Sequence, residues 1–200
     1  MPKIVDHDIQ REELLNRSFT LFAEKGYAHV TLREIADELG VSTGTLYHYF
    51  PNKKAMLEQL FHMVNRRDVM QAVTMIDQSS TQSERVGIFL QFVRERKDYF
   101  QGLLLITIEY FRHCHADDSG DVLQQFADFY REAMAENLEV PQEIADFLLI
   151  YLNGLMYHIK LYPHSVTVED QLRLVNNMID CMLQGDPVGG EVRSGGNNET

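Results

Sequence analysis

TLREIADELGVSTGTLYHYF, residues 31–50, decides the fold. Leu32, Ile35, Ala36 and Leu39 recur at i, i+3, i+4 and i+7, which lines one helix face with apolar side chains. Thr31 stands where an N-cap is expected, and Glu34 three residues later completes a capping box. Gly40 supplies the left-handed residue that ends the helix. A second short helix starts at Ser42 and runs to about Tyr49, where Pro51-Asn52 breaks the pattern. Two short helices joined by Gly40-Val41 have the spacing of a helix-turn-helix. Leu46 and Phe50, four apart, give the second helix an apolar inner face, and Val41 can plug the turn. Its outer face offers Thr43, Gly44, Thr45, Tyr47 and His48, small or hydrogen-bonding residues that can approach phosphates and base edges. Ser42 and Thr43 sit at its start, where free N–H groups and the helix dipole favour phosphate oxygens.

Helical periodicity continues on both sides of this unit. A helix is expected over about 8–25, with Leu14, Leu15, Phe19, Leu21 and Phe22 apolar and Gly26 as its stop. A long one should run from near Lys53 to about Asp77. Others are expected at about 83–97, 98–114, 119–138, 141–161 and 167–184. The breaks fall at Ser79-Ser80, the Asp117–Gly120 cluster, Pro141 and Pro163. Strand signals are scarce, with few β-branched alternations and only five prolines. The last sixteen residues, GDPVGGEVRSGGNNET, hold five glycines and read as a disordered tail. The chain is expected to be all-α.

The 200 residues are 44% hydrophobic and 24% charged, enough for a sizeable core without disulfides or metal. Net charge is −12, which disfavours a general polyanion binder. The acidity is unevenly spread. Residues 1–54 carry seven basic and eight acidic side chains, residues 55–200 eleven and twenty-two. The first part is thus free to approach a polyanion at specific points. Two distant cysteines, Cys114 and Cys181, fit a reduced, cytoplasmic protein. The start, MPKIVDHDIQREE, has no apolar signal core, and no uninterrupted apolar run approaches the roughly 18 residues of a membrane span. No secretion and no membrane are expected.

The stretch TLREIADELGVSTGTLYHYFPNKKAML (31–57) and its approach LLNRSFTLFAEKGY (14–27) resemble the DNA-binding signature of TetR-family transcriptional regulators. The resemblance covers about residues 8–68, and GVSxGTLYHYFxNK is its most specific string. It implies an N-terminal three-helix helix-turn-helix DNA-binding domain followed by a C-terminal helical bundle for ligand binding and dimerisation. On that basis 1–54 is the DNA-binding domain, 55–77 a connecting helix, 78–184 the ligand-binding and dimerisation domain, and 185–200 the tail. Carried over residue by residue, Thr31 caps the second helix and touches a phosphate, and Arg33 reaches for a guanine or phosphate. Ser42, Thr43, Gly44 and Thr45 enter the major groove, Tyr47 and His48 hold the backbone, and Lys53 clamps a further phosphate. Arg17 and Phe19 depart from the family pattern, which bears on first-helix packing. Blander readings stand beside these: Arg33 solvated or paired with Asp37, Phe50 as core, Tyr49 as packing or contact.

The segment DYFQGLLLITIEYFRHC (98–114) is apolar almost all round, as a helix in the middle of a bundle would be. Phe89, Phe92, Tyr110, Phe126 and Tyr151 are either an aromatic core or the walls of an apolar cavity. Glu109 is either a polar contact in that cavity or a solvent-facing residue. Val168, Leu172, Val175, Ile179 and Met182 are spaced 4, 3, 4, 3, and Ile144, Leu148, Tyr151 and Leu155 keep the same rhythm. Such seams read as a homodimer interface through about 141–162 and 167–184, or as an intrachain face.

His113-Cys114-His115 with Asp117-Asp118 has poor spacing for a metal on a helix, and His48 has no second ligand at i+4. No metal and no cofactor are expected. No nucleophile–base pair or phosphate-cradling glycine loop occurs, so an enzyme is not expected. The sequence thus reads as a DNA-binding regulator, a ligand-responsive repressor that binds a palindromic operator as a homodimer and leaves it on binding a small apolar effector. The alternative is a helical small-molecule-binding protein with a vestigial helix-turn-helix.

Overall fold

The computed structural model describes residues 7–76, 81–113 and 116–184. Among them every regular element is a helix. In chain order these are α1 (His7–Lys25), α2 (Leu32–Leu39), α3 (Thr43–Tyr49), α4 (Lys53–Ile76), α5 (Gln82–Glu95), α6 (Lys97–His113), α7 (Ala116–Leu138), α8 (Gln142–Leu161) and α9 (Val168–Gln184). The expected tail at 185–200 lies outside the described residues, as do Cys114 and His115.

Local signals account for the boundaries. Thr31 and Glu34 form the expected capping box on α2. Thr81 and Glu84 form a second one on α5, whose start at Gln82 is one residue ahead of the expected one at about 83. α7 begins at Ala116, three residues earlier than expected.

Two apolar clusters hold the helices together. The first joins α1, α2 and α3 to the start of α4 and to Leu103, Ile106 and Tyr110 of α6, with Phe22, Phe50 and Phe61 fully enclosed. The second packs the end of α4 with α5, the end of α7, α8 and α9. α4 belongs to both, so it is the rigid strut between the head, α1–α3, and the body, α5–α9. Each fully buried Leu or Phe contributes about 1.5–3 kcal/mol through removal of apolar area from water.

Two expectations need correction. α6 is not enclosed on all sides: only Leu103, Ile106 and Tyr110 are buried, while Phe111 is 63% exposed. One side of α6 meets the head and the body, and the other, with Ile108 and Phe111, is open. The regular seams on α8 and α9, Met182 apart, also face inward. Ile144, Leu148, Leu155, Leu172, Val175 and Ile179 are buried in their own chain's core, with α9 lying along α5. Phe147, Ile150, Tyr157 and Leu161 of α8 and Leu174, Met178 and Met182 of α9 are the large exposed apolar residues of these helices. By length and hydropathy alone α8 could cross a membrane, but its buried side packs against α6, α7 and α9.

Candidate nucleic-acid interface and cavity

The outer face of the helix-turn-helix is built from its caps. Glu34 N–H donates to Thr31 Oγ1 at 3.2 Å, and the Thr31 N–H and hydroxyl donate to Glu34 Oε2 at 2.7 and 2.8 Å. Those bonds, the hydroxyl's first, hold the Glu34 carboxyl below the usual carboxylate value. Gly40 takes φ +70° and turns the chain. Ser42 then caps α3 by accepting the Thr45 N–H at 3.0 Å, and the two hydroxyls lie 2.8 Å apart. Leu46, Tyr49 and Phe50 are buried beneath. Thr31, Arg33, Ser42, Gly44, Tyr47 and His48 are exposed, with Thr43 and Thr45 half-buried. Tyr47, an aromatic 54% exposed on a seven-residue helix, stands clear of the core.

Lys53 has a structural role beyond the expected phosphate clamp. Lys53 Nζ donates to the carbonyls of Tyr27 and Val30 at 2.6 and 2.7 Å and lies 4.4 Å from the Tyr27 ring centroid. It ties the start of α4 to the loop before α2. Tyr49 resolves to packing: its hydroxyl donates to Gln10 Oε1 at 2.7 Å and lies 2.9 Å from His7 Nδ1, with the Arg11 guanidinium 5.8 Å from its ring. The first turns of α1 therefore brace α3 from behind.

A cavity of about 200 Å³ opens among α4, α5, α6, α7 and α8. Phe89, Phe92 and Phe126 line it as expected, joined by Phe100 and Tyr130. Glu109, Tyr110 and Tyr151 are not brought there. The cavity side of α6 is Phe100, Leu103, Leu104 and Thr107. Glu109 is two residues past Thr107, about 200° round the helix, and accepts the Ala28 N–H of the head at 3.4 Å. Tyr110 lies one turn beyond the cavity, edge-on to Phe61, with its hydroxyl donated to Glu58 at 2.8 Å. Tyr151 turns toward α9 and bonds Gln171 Oε1 at 3.0 Å.

The cavity's carboxylate is Asp68, only 2% exposed. Its Oδ2 accepts the Tyr99 and Tyr130 hydroxyls at 2.7 and 2.8 Å. Its Oδ1 lies 3.5 Å from Arg67 Nε and 3.6 Å from an Arg96 nitrogen. Burial raises the Asp68 carboxyl above its usual value, against the pull of the two hydroxyls and two guanidinium groups. One signal could have found it. On α4 the buried positions Phe61, Val64, Asp68, Ala72 and Ile76 form one stripe, and an acid on an apolar stripe needs partners.

Comparison with known proteins bears on both regions. Residues 14–60 match the family described as bacterial regulatory proteins, tetR family. The chain is 26% identical to the HTH-type transcriptional regulator BetI of Brucella canis, an alignment spanning 94% of this chain and 98% of that one. It is 45% identical over 51 residues to the HTH-type transcriptional repressor KstR2 of Rhodococcus jostii, 26% of this chain and 25% of that one. Its fold matches that of a transcriptional regulator from Saccharomonospora viridis solved in complex with choline, with a TM-score of 0.67 and 19% identity over 87% of this chain and 97% of that one.

Proposed function

We infer, from a chain that belongs to the tetR family of helix-turn-helix transcriptional regulators, that it acts as a ligand-responsive repressor. The observation that carries this reading is α4, whose start fixes the helix-turn-helix through Lys53 and whose later turns, Asp68 to Ile76, wall the cavity. Residues 1–54 serve as the DNA-binding domain, 55–77 as the connection, and 78–184 as the body that binds ligand and dimerises. Arg33 reaches for a guanine or phosphate, and Ser42, Thr43, Gly44 and Thr45 enter the major groove. Thr31, Tyr47, His48 and Lys53 anchor phosphates.

Two copies pair through the exposed faces of α8 and α9, where Ile150, Tyr157, Leu174 and Met178 lie open and nothing lies within 4 Å of a Cβ built on Gly154. Two helices from each chain form a four-helix interface. The dimer then offers two α3 helices to a near-palindromic site with half-sites about 34 Å apart. A molecule in the cavity pushes on α4 and shifts the spacing of the heads. It must bind the shifted state better, since equal affinity for both would move nothing. KstR2, similar to this chain at the head, is a repressor, and the Saccharomonospora regulator of this fold holds a small molecule; both favour the reading. The chain acts in the cytoplasm, on the DNA it controls.

The test is selection of duplexes from a random pool by the purified protein. Enrichment of a palindrome, lost in Tyr47→Ala with Lys53→Ala, is the expected result. A pool that stays random, or a double variant that binds the selected site unchanged, would refute the assignment.

A further inference from the structure

Five side chains from four helices form one line of polar contacts between the cavity and the head. Tyr130 of α7 lines the cavity, and its hydroxyl donates to Asp68 Oδ2 of α4 at 2.8 Å. The same oxygen accepts the Tyr99 hydroxyl of α6 at 2.7 Å. The Tyr99 oxygen accepts Arg67 Nη2 at 2.9 Å, and Arg67 Nη1 donates to Asn16 Oδ1 of α1 at 2.6 Å. α1 and α6 are in close contact at the same place. Phe19 stacks on Tyr99, and a Cβ built on Gly102 would lie 3.2 Å from the Ala23 Cβ. Packing that tight passes a small displacement of one helix to the other.

Arg67 has a second position within reach. Its Nε and Asp68 Oδ1 are buried and 3.5 Å apart, and neither has a hydrogen bond among the described residues. Shortening that gap by about 0.6 Å would complete a charge-assisted bond. The gap stays open because Asp68 Oδ2 is taken by two tyrosine hydroxyls and the outer nitrogens of Arg67 by Tyr99 and Asn16. Members of a buried network strengthen one another, so the loss of one bond changes the rest. If Tyr130 leaves Asp68, the carboxylate lacks a donor, and Arg67 Nε is placed to supply one. Drawn inward, the guanidinium turns away from Asn16. The first turns of α1 brace α3 through the bond from Tyr49 to Gln10, so what moves α1 moves α3.

We propose that Arg67 is a positioning residue for the head, a latch on Asn16 that the cavity opens through Tyr130. A molecule that displaces the Tyr130 ring lets Arg67 close on Asp68 and releases α1. This rests on the reading of the cavity as the effector site and of the head as the DNA-binding unit, and names the contact through which one reaches the other.

Two measurements on the full chain test the latch. One is a double-variant cycle of denaturant unfolding. Tyr130→Phe removes only the hydroxyl, and Asn16→Ala trims an exposed side chain, so neither puts folding at stake. The two positions stand at opposite ends of the line of contacts, and the double variant's unfolding constant should depart from the product of the single effects by at least about threefold. The other measurement uses the selected operator with one base pair added or removed between its half-sites, which moves one of them by roughly 3.4 Å. The preference for the selected spacing should fall at least about fivefold in Arg67→Met, Asn16→Ala and Tyr130→Phe alike, with the half-site sequence unchanged. Lost stability alone would weaken every spacing equally. An additive cycle would overturn the proposal, and so would a spacing preference that Asn16→Ala or Tyr130→Phe leaves intact. If the random pool yields no palindrome, the DNA-binding reading fails, and the cycle alone decides whether the cavity wall reaches α1.

Discussion

Glu109 of α6 accepts the Ala28 N–H at 3.4 Å and lies against Gly26, joining the body to the loop between α1 and α2. Gly26 has φ +83°, and a Cβ there would fall 2.7 and 2.8 Å from the two Glu109 oxygens. Those oxygens end a flexible side chain, so they can withdraw; the backbone conformation cannot. Gly26→Ala should therefore cost about 1–2 kcal/mol, the penalty of a left-handed residue with a Cβ. Denaturant unfolding measures it. Adding Glu109→Ala should restore little, and full restoration would mean that the contact, rather than the backbone, sets the cost.

Lys53 and Tyr47 should separate stability from DNA affinity. Lys53→Met leaves the Tyr27 and Val30 carbonyls without their charged donor and should cost about 1.5–3 kcal/mol of unfolding free energy. Tyr47→Ala removes an exposed ring and should stay within about 0.5 kcal/mol of the parent. Both should weaken binding to a selected operator. Equal stability of the two variants would leave Lys53 with a phosphate role alone.

What was legible in the sequence is what is local. The Thr31–Glu34 box spans four residues and the Leu32–Leu39 stripe two turns, and both form as read. Lys53 answers to two backbone carbonyls 26 and 23 positions away, and a carbonyl carries no residue signature. Asp68 finds its tyrosines 31 and 62 positions away, so only its place on an apolar stripe could mark it. Phe19, a departure from the family pattern, stacks on Tyr99 with centroids 4.9 Å apart, and Arg67 bridges Asn16 and Tyr99. The departure is thus part of the joint between α1 and the body. Periodicity found the apolar stripes of α8 and α9 but could not say whether the same chain covers them.

Asp68 gives stability a pH dependence of definite sign. Its folded-state value is raised, chiefly by burial, above the ordinary 3.8. The folded chain then keeps a proton that the unfolded chain has lost, so this group's contribution to stability declines as pH rises from the ordinary value through the raised one. Asparagine at that position does not titrate. In melts between about pH 4 and pH 7, Asp68→Asn should improve relative to the parent as pH rises. Asp146, lowered by its bonds from Gln142 and Arg131, runs the other way: its contribution is present above the ordinary value and lost as pH falls through the lowered one. A parent–variant difference flat across that range would mean that Asp68 titrates alike in the folded and unfolded chains.

The register of α8 and α9 separates the chain's core from the face proposed to pair two copies. Leu172 and Leu174 are two residues apart, yet the first is buried against the body and the second is half open to solvent. Ile179 and Met178 divide the same way, and Ile150, 73% exposed, stands on α8 beside buried Leu148 and Leu152. Leu172→Ala or Ile179→Ala should cost about 2–4 kcal/mol of subunit stability, through lost burial and the cavity left behind. Ile150→Glu with Leu174→Glu should leave each subunit folded and place charge in the proposed seam, giving monomers by sedimentation. Operator affinity should then fall by about 10²–10⁴-fold, since each half-site would bind without the effective concentration its partner supplied. If that double variant sediments as a dimer, the pairing surface lies elsewhere on the body, and the spacing of the two α3 helices would have to be derived from that other face.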